Sequence, residues 1–175
     1  EARHDGIIKF VNLNTVKTKE NDYVIMNRHK KVHVLDEQKR SRGKYTVPYG
    51  AHLKVKDNSL VKHGELIAEW DPFSIPILAE VDGIIKYGDI IEGKTMQEQV
   101  DEVTGLSRKV VIEFKGGDLR LHVSIKDSKG KTAKITGTNS VARYLLSIGV
   151  NIVASEGDQV RAGDIIAKIP RETTK

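Results

Sequence analysis

The chain has 175 residues and a mass of 19.5 kDa, with 38% hydrophobic and 30% charged residues, 15 Gly and 4 Pro. At roughly 100–200 residues per domain, this allows one full domain or two small ones; it excludes a multi-domain machine, a collagen-like repeat and a chain too polar to fold. The absence of Cys excludes disulfides, thiolate zinc sites, iron–sulfur clusters and cysteine nucleophiles, and a net charge of +5 exerts only a modest pull on polyanions.

Apolar residues recur with period two or in short runs, which predicts strands rather than amphipathic helices. In chain order the strands fall at 7–11, 23–26, 31–35, 44–47, 51–55, 66–70, 77–81, 84–87, 109–114, 119–125, 133–136, 149–154 and 165–169. Gly-bearing turns predict hairpin loops at Lys115-Gly116-Gly117-Asp118 and Asp127-Ser128-Lys129-Gly130, and Val81-Asp82-Gly83-Ile84 sets an Asp-Gly pair between apolar runs. Two segments, 95–103 and 139–146, are expected as helical exceptions, the second with Asn139 or Ser140 as N-cap. The fold class is therefore all-β. No run approaches the roughly 20 apolar residues of a membrane span, and the N-terminus lacks the apolar core of a signal peptide, so a soluble protein is expected. The first residue is Glu1 rather than Met, which points to a piece of something longer.

An internal repeat organises the chain. Residues 53–69 (LKVKDNSLVKHGELIAE) fall over 152–168 (IVASEGDQVRAGDIIAK), matching Val61 with Val160, Gly64 with Gly163, Ile67 with Ile166 and Ala68 with Ala167. Upstream, Val32-His33-Val34 falls over Leu121-His122-Val123 at a shorter spacing. The expected division is a first β unit at 1–102 and a second at 103–175, with the boundary near Asp101 to Gly105.

Two places could carry contacts. Basic residues are densest beside the turns at 28–31 and 39–44; they read either as solvated hairpin tips or as a surface in which Arg28, Lys30, Lys31, Lys39, Arg40 and Arg42 meet nucleic acid or an acidic partner. No aromatic residue interleaves with them as base stacking requires. Trp70, Pro72, Phe73 and Ile75, with Pro76, read either as a buried corner plug or as an aromatic protein contact. The six His form no metal-ligand pair, and His33 and His122 are expected at matching positions of the repeat. Asp57, Glu65, Glu156, Asp158 and Asp164 fit no Ca²⁺-loop spacing and are expected to serve turns. Neither a Gly-x-Ser-x-Gly elbow nor a phosphate-cradling Gly motif occurs.

The run Ala154-Ser155-Glu156-Gly157-Asp158-Gln159-Val160-Arg161-Ala162-Gly163-Asp164-Ile165-Ile166-Ala167-Lys168 resembles the first half of biotinyl and lipoyl carrier domains. That resemblance implies two tandem barrel–sandwich hybrid motifs. A carrier needs a modifiable Lys at the tip after the Ile-Ala strand. The first tip, Asp71-Pro72-Phe73-Ser74-Ile75-Pro76, has none, and the second copy lacks its return half. No prosthetic group is expected.

Three blocks carry a more specific likeness: Val47-Pro48-Tyr49-Gly50-Ala51, Gly64-Glu65-Leu66-Ile67-Ala68-Glu69-Trp70-Asp71-Pro72 and Pro76-Ile77-Leu78-Ala79-Glu80-Val81-Asp82-Gly83. Together with 89–95, 101–107 and 163–172 they resemble the insertion in the trigger loop of the bacterial RNA polymerase β′ subunit. The resemblance covers essentially the whole chain and is strongest over 47–107. It implies tandem sandwich–barrel hybrid motifs within the mobile loop that closes the active site, in a cytoplasmic, nucleoid-associated enzyme. The implied role is non-catalytic: contacts with β and the rest of β′ that modulate elongation, pausing and transcript cleavage, with downstream DNA or transcription factors as further partners. No membrane, small-molecule ligand or cofactor is expected for this segment. The parent's Mg²⁺-binding Asn-Ala-Asp-Phe-Asp-Gly-Asp motif has no counterpart here, and the nucleotide-touching residues would lie before Glu1. The alternative is a basic barrel–sandwich adaptor that contacts nucleic acid or protein partners.

Overall fold

The computed structural model describes residues 1–18, 21–27, 30–100, 102–135 and 137–171. Among them there is no helix, and seventeen strands form two compact units, Glu1–Asp71 and Pro72–Lys175.

In the first unit the strands are β1 (Gly6–Val11), β2 (Thr15–Lys17), β3 (Tyr23–Ile25), β4 (Lys30–Leu35), β5 (Ser41–Val47), β6 (His52–Leu53), β7 (Leu60–Val61) and β8 (Ala68–Glu69). They form two antiparallel sheets, ordered β5-β4-β1-β7 and β2-β3-β6-β8. Alternation sends Ile8, Val32, Val34, Val47 and Val61 of one sheet inward to meet Ile25 and Leu53 from the other, with Ile67 just ahead of β8. This makes a sandwich whose core is fed by both sheets, each fully buried aliphatic side chain contributing about 1.5–3 kcal/mol.

The second unit comprises β9 (Ser74–Leu78), β10 (Gly83–Gly88), β11 (Met96–Val100), β12 (Ser107–Val111), β13 (His122–Lys126), β14 (Arg143–Leu145), β15 (Asn151–Ile152), β16 (Gln159–Val160) and β17 (Ile165–Pro170). Its sheets run β14-β13-β10-β16 and β11-β12-β15-β17-β9. Ile85, Val123, Ile125 and Val160 face Met96, Val111, Ile152, Ile166 and Ala167 in a second, separate core.

The two units repeat one plan, to which the second adds β9. Gly6 pairs with Val61 and Ile8 with Val34; Gly83 pairs with Val160 and Ile85 with Ile125. Likewise Leu53 pairs with Ala68, and Ile152 with Ala167. The register extends the repeat upstream to Ala2-x-x-Asp5-Gly6-Ile7-Ile8-Lys9-Phe10 over Ala79-x-x-Asp82-Gly83-Ile84-Ile85-Lys86-Tyr87. It also corrects the central alignment: the residue matching His33 is Ser124, because they face the equivalent Lys9 and Lys86.

The division differs from the expected one near 101–105. Residues 72–102 belong to the second unit because β9 pairs with β17, and β10 with both β13 and β16. Segments 95–103 and 139–146 hold strands β11 and β14 instead of helices; Met96 pairs with Val111 and Tyr144 with Val123, so cross-strand partners override weak helical signals. The Gly116-Gly117 and Asp82-Gly83 turns are not hairpins, since the strands on either side of each belong to different sheets. Asp127–Gly130 does turn the chain, ahead of a Lys126–Thr132 bridge.

Candidate contact surfaces

Acidic side chains hold the turns that present the basic residues. Asp36 directly follows β4, and its Oδ1 accepts the backbone N–H groups of Gln38 and Arg40, each at 2.9 Å. Its Oδ2 accepts from Arg40 Nε at 3.0 Å, and Arg42 Nε lies at 3.4 Å. These hydrogen bonds, led by the Arg40 backbone N–H, hold the carboxyl below its usual range. Two of the candidate cations therefore brace the turn as well as decorating it. Asp127 builds the same turn in the second unit, accepting from Lys129 and Lys131 N–H at 2.9 and 3.0 Å. Lys39 is exposed at the αL corner with φ 60°, where the second unit has Gly130 at φ 77°. Lys31 is exposed on β4, Lys30 is the first residue of that strand, and Arg28 lies outside the described residues.

An open groove of about 460 Å³ in the first unit is lined by Arg3, His4, Arg42, Lys44, Ala68 and Trp70, among others. It brings Arg42 to the same rim as Arg3 and Lys44, a concentration of charge that sequence spacing alone did not reveal. Elsewhere in this unit Asp22, nearly buried, accepts hydrogen bonds from Thr18, from His52 Nδ1 at 3.0 Å and from Lys54 Nζ at 3.0 Å. Burial pushes this carboxyl up, but the bonds from Thr18, Lys54 and His52 outweigh it and bring the pKa down to about 2.

The aromatic group is exposed and is not a corner plug. Trp70, in the first unit, is 47% exposed; in the second unit, Phe73 is 71% and Ile75 41% exposed, and Pro72 is exposed too. β9 carries Ile75 at a sheet edge, opposite Ile169 of β17.

The remaining chemistry is structural. Asp57 Oδ1 accepts the Phe10 N–H at 2.9 Å and Glu156 Oε2 the Tyr87 N–H at 3.1 Å, so these acids serve turns. Asp158 and Asp164 cap the N–H groups of Ser155 and Arg161. Burial, with Lys44 and Lys31 nearby, lowers the pKa of His33, and its Nε2 is buried without a hydrogen-bond partner. His122 Nδ1 donates to the Arg120 carbonyl at 2.9 Å. Among the described residues no three His, Asp or Glu side chains group as a metal site would, and no helix is long and apolar enough to cross a membrane.

No protein-family model matches the chain. Over 173 residues, 99% of its length, it is 49% identical to the DNA-directed RNA polymerase subunit beta' of Syntrophobacter fumaroxidans (strain DSM 10017 / MPOB), and it spans 13% of that protein.

Proposed function

Because the chain belongs to the family of that segment of the RNA polymerase β′ subunit, we propose that it is a non-catalytic insertion that biases the folding of the trigger loop, and through it elongation, pausing and transcript cleavage. The observation that carries this reading is the near-complete cover of the chain by one segment of a much longer polymerase subunit. Two independently cored β units suit a mechanical part, since close-packed interiors transmit displacement rather than absorb it. A module of this kind shifts a loop equilibrium only by the difference between its contacts in the two states; about 1.4 kcal/mol gives a tenfold change. The exposed Trp70, Phe73 and Ile75 are the side chains proposed to supply such contacts with β or the rest of β′, in a soluble, cytoplasmic assembly. The catalytic Mg²⁺ belongs elsewhere in the parent enzyme on this reading.

The test replaces residues 1–175 by a short flexible linker in the parent polymerase and records nucleotide addition and transcript cleavage. Addition that persists while cleavage changes supports modulation; loss of addition would instead assign this segment to the catalytic apparatus. The adaptor reading predicts salt-dependent DNA binding that is lost in a Lys39→Ala, Arg40→Ala, Arg42→Ala variant. The engagement of Arg40 and Arg42 by Asp36 weighs against it.

A further inference from the structure

The duplicated plan has one unequal place. In the second unit β17 is covered on its outer edge by β9, whereas in the first unit the equivalent strand, β8, ends its sheet. The difference shows in burial: Ala167 is fully buried, and its counterpart Ala68 is only half-buried. Leu66, matching the half-buried Ile165, is 44% exposed. The space beside β8 is the open groove lined by Ala68 and Trp70.

The path of the chain into that groove is already set. In the second unit β9 leads into Ala79, whose N–H donates to the Asp164 carbonyl at 2.8 Å and whose carbonyl accepts from Gly163 N–H at 2.7 Å. In the first unit Ala2 makes the same two bonds, with Glu65 and Gly64, both at 2.8 Å. Ala2 is therefore held as Ala79 is, and the chain that precedes it is aimed along β8 as β9 is aimed along β17.

We propose that the edge of β8 is a strand acceptor, filled by the residues immediately preceding Glu1 in the full-length subunit, which add antiparallel as the counterpart of β9. β9 meets β17 with Leu78 opposite Ile165, then, after a bulge, Ile77 opposite Ala167 and Pro76 opposite Lys168. Transferred to the first unit, this register puts Glu1 opposite Leu66, the residue before Glu1 opposite Ala68, and the second residue before Glu1 opposite Glu69. The strand lengthens the ladder with main-chain hydrogen bonds and covers Ala68 and Leu66. It also makes the upstream tether of the module part of the β2-β3-β6-β8 sheet, so movement of that tether reaches the core of the first unit without a flexible joint. The proposal rests on the chain being a piece of a longer subunit and not on any effect on pausing.

The test uses the assembled polymerase. A Glu69→Cys substitution is combined with a cysteine at the second residue before Glu1, and the disulfide-linked peptide is identified by mass spectrometry after mild oxidation. The control moves the upstream cysteine one residue, onto the opposite face. Linkage in the first pair at several times the yield of the control is the expected result, together with amide exchange of 68–70 within about tenfold of that of 167–169. Equal yields in both registers, or no linkage with fast exchange at 68–70, would overturn the proposal. Linkage only between two copies of the subunit would also overturn it, by assigning the edge to a second chain.

Discussion

Asp82 Oδ1 accepts the backbone N–H of Ala162 at 2.8 Å, joining residues eighty positions apart. The first unit repeats this clasp with Asp5 and His63 at 2.6 Å. A second clasp is also duplicated: Tyr45 Oη accepts the Arg3 N–H at 2.8 Å, and Tyr144 Oη accepts the Glu80 N–H at 3.1 Å. Each unit thus fastens the segment entering its first long strand to a later loop, at His63 or Ala162, and to a later strand, β5 or β14. Removing the acceptor in Asp82→Ala should cost about 1 kcal/mol and speed exchange at the Ala162 amide, while Asp82→Asn keeps an acceptor and should recover most of it. Urea unfolding and amide exchange read both effects.

Gly83 lies tight against the backbone of β13. A Cβ there would stand 2.5 Å from both the Lys126 carbonyl oxygen and Ile125 Cγ2, and at Gly6 it would meet the Leu35 carbonyl oxygen at 2.4 Å. Gly83→Ala should destabilise by about 1–3 kcal/mol, because a backbone atom cannot swing aside. Gly117→Ala, which meets nothing within 4 Å, should change stability by less than about 0.5 kcal/mol. Denaturation midpoints of the two variants distinguish steric crowding from a general intolerance of side chains.

Lys39 occupies a left-handed corner where the other unit has Gly130. Lys39→Gly should be neutral to stabilising by up to about 1 kcal/mol, since relief of the Cβ strain is partly offset by the freer unfolded chain. A drop in thermal midpoint would contradict this.

Asp22 makes stability acid-sensitive. Its folded pKa, about 2, lies below the ordinary value of 3.8, so its contribution is fully present above that value and fades as pH falls toward 2. The amount is on the order of 1 kcal/mol, discounting for the solvent-facing side of the His52 and Lys54 network. Asp22→Asn should lose stability at pH 7 and show a flatter dependence between pH 4 and pH 2. Parallel acid titrations of unfolding in the two proteins give the comparison.

Much of this fold was legible in the sequence, and the gaps have physical causes. Period-two patterning marked most of the strands that build the cores, and one constant offset exposed the Leu53–Glu69 repeat. The Asp5–Phe10 copy escaped because the loops between strands grow unequally: Gly6 and Gly83 are 77 residues apart, Val32 and Val123 are 91, and Leu53 and Ile152 are 99. Sliding by one offset therefore finds one block only, and the match of His33 to His122 follows the shared His at a spacing of 89, two short of the 91 that the strand pairing requires. The basic stretch was visible as composition, but Asp36, which ties Arg40 and Arg42, carries no local signal beyond its place before a turn. The exposure of Trp70 and Phe73 depends on tertiary packing, and an apolar cluster in a sequence reads equally as core or contact.

Phe73 offers a separable probe of contact. With 71% of its surface exposed, Phe73→Ser should leave the unfolding free energy within about 0.5 kcal/mol of the parent while moving pause lifetime in the same direction as removal of the whole segment. A stability loss above 1 kcal/mol would assign the ring to packing instead.

The most direct measurement is the lifetime of a single defined pause by the parent polymerase with and without residues 1–175, at one nucleotide concentration and with addition rates recorded alongside. A lifetime changed several-fold while addition persists is the predicted result, corresponding to about 1 kcal/mol of differential contact between loop states. Equal lifetimes in the two enzymes would contradict the modulating role.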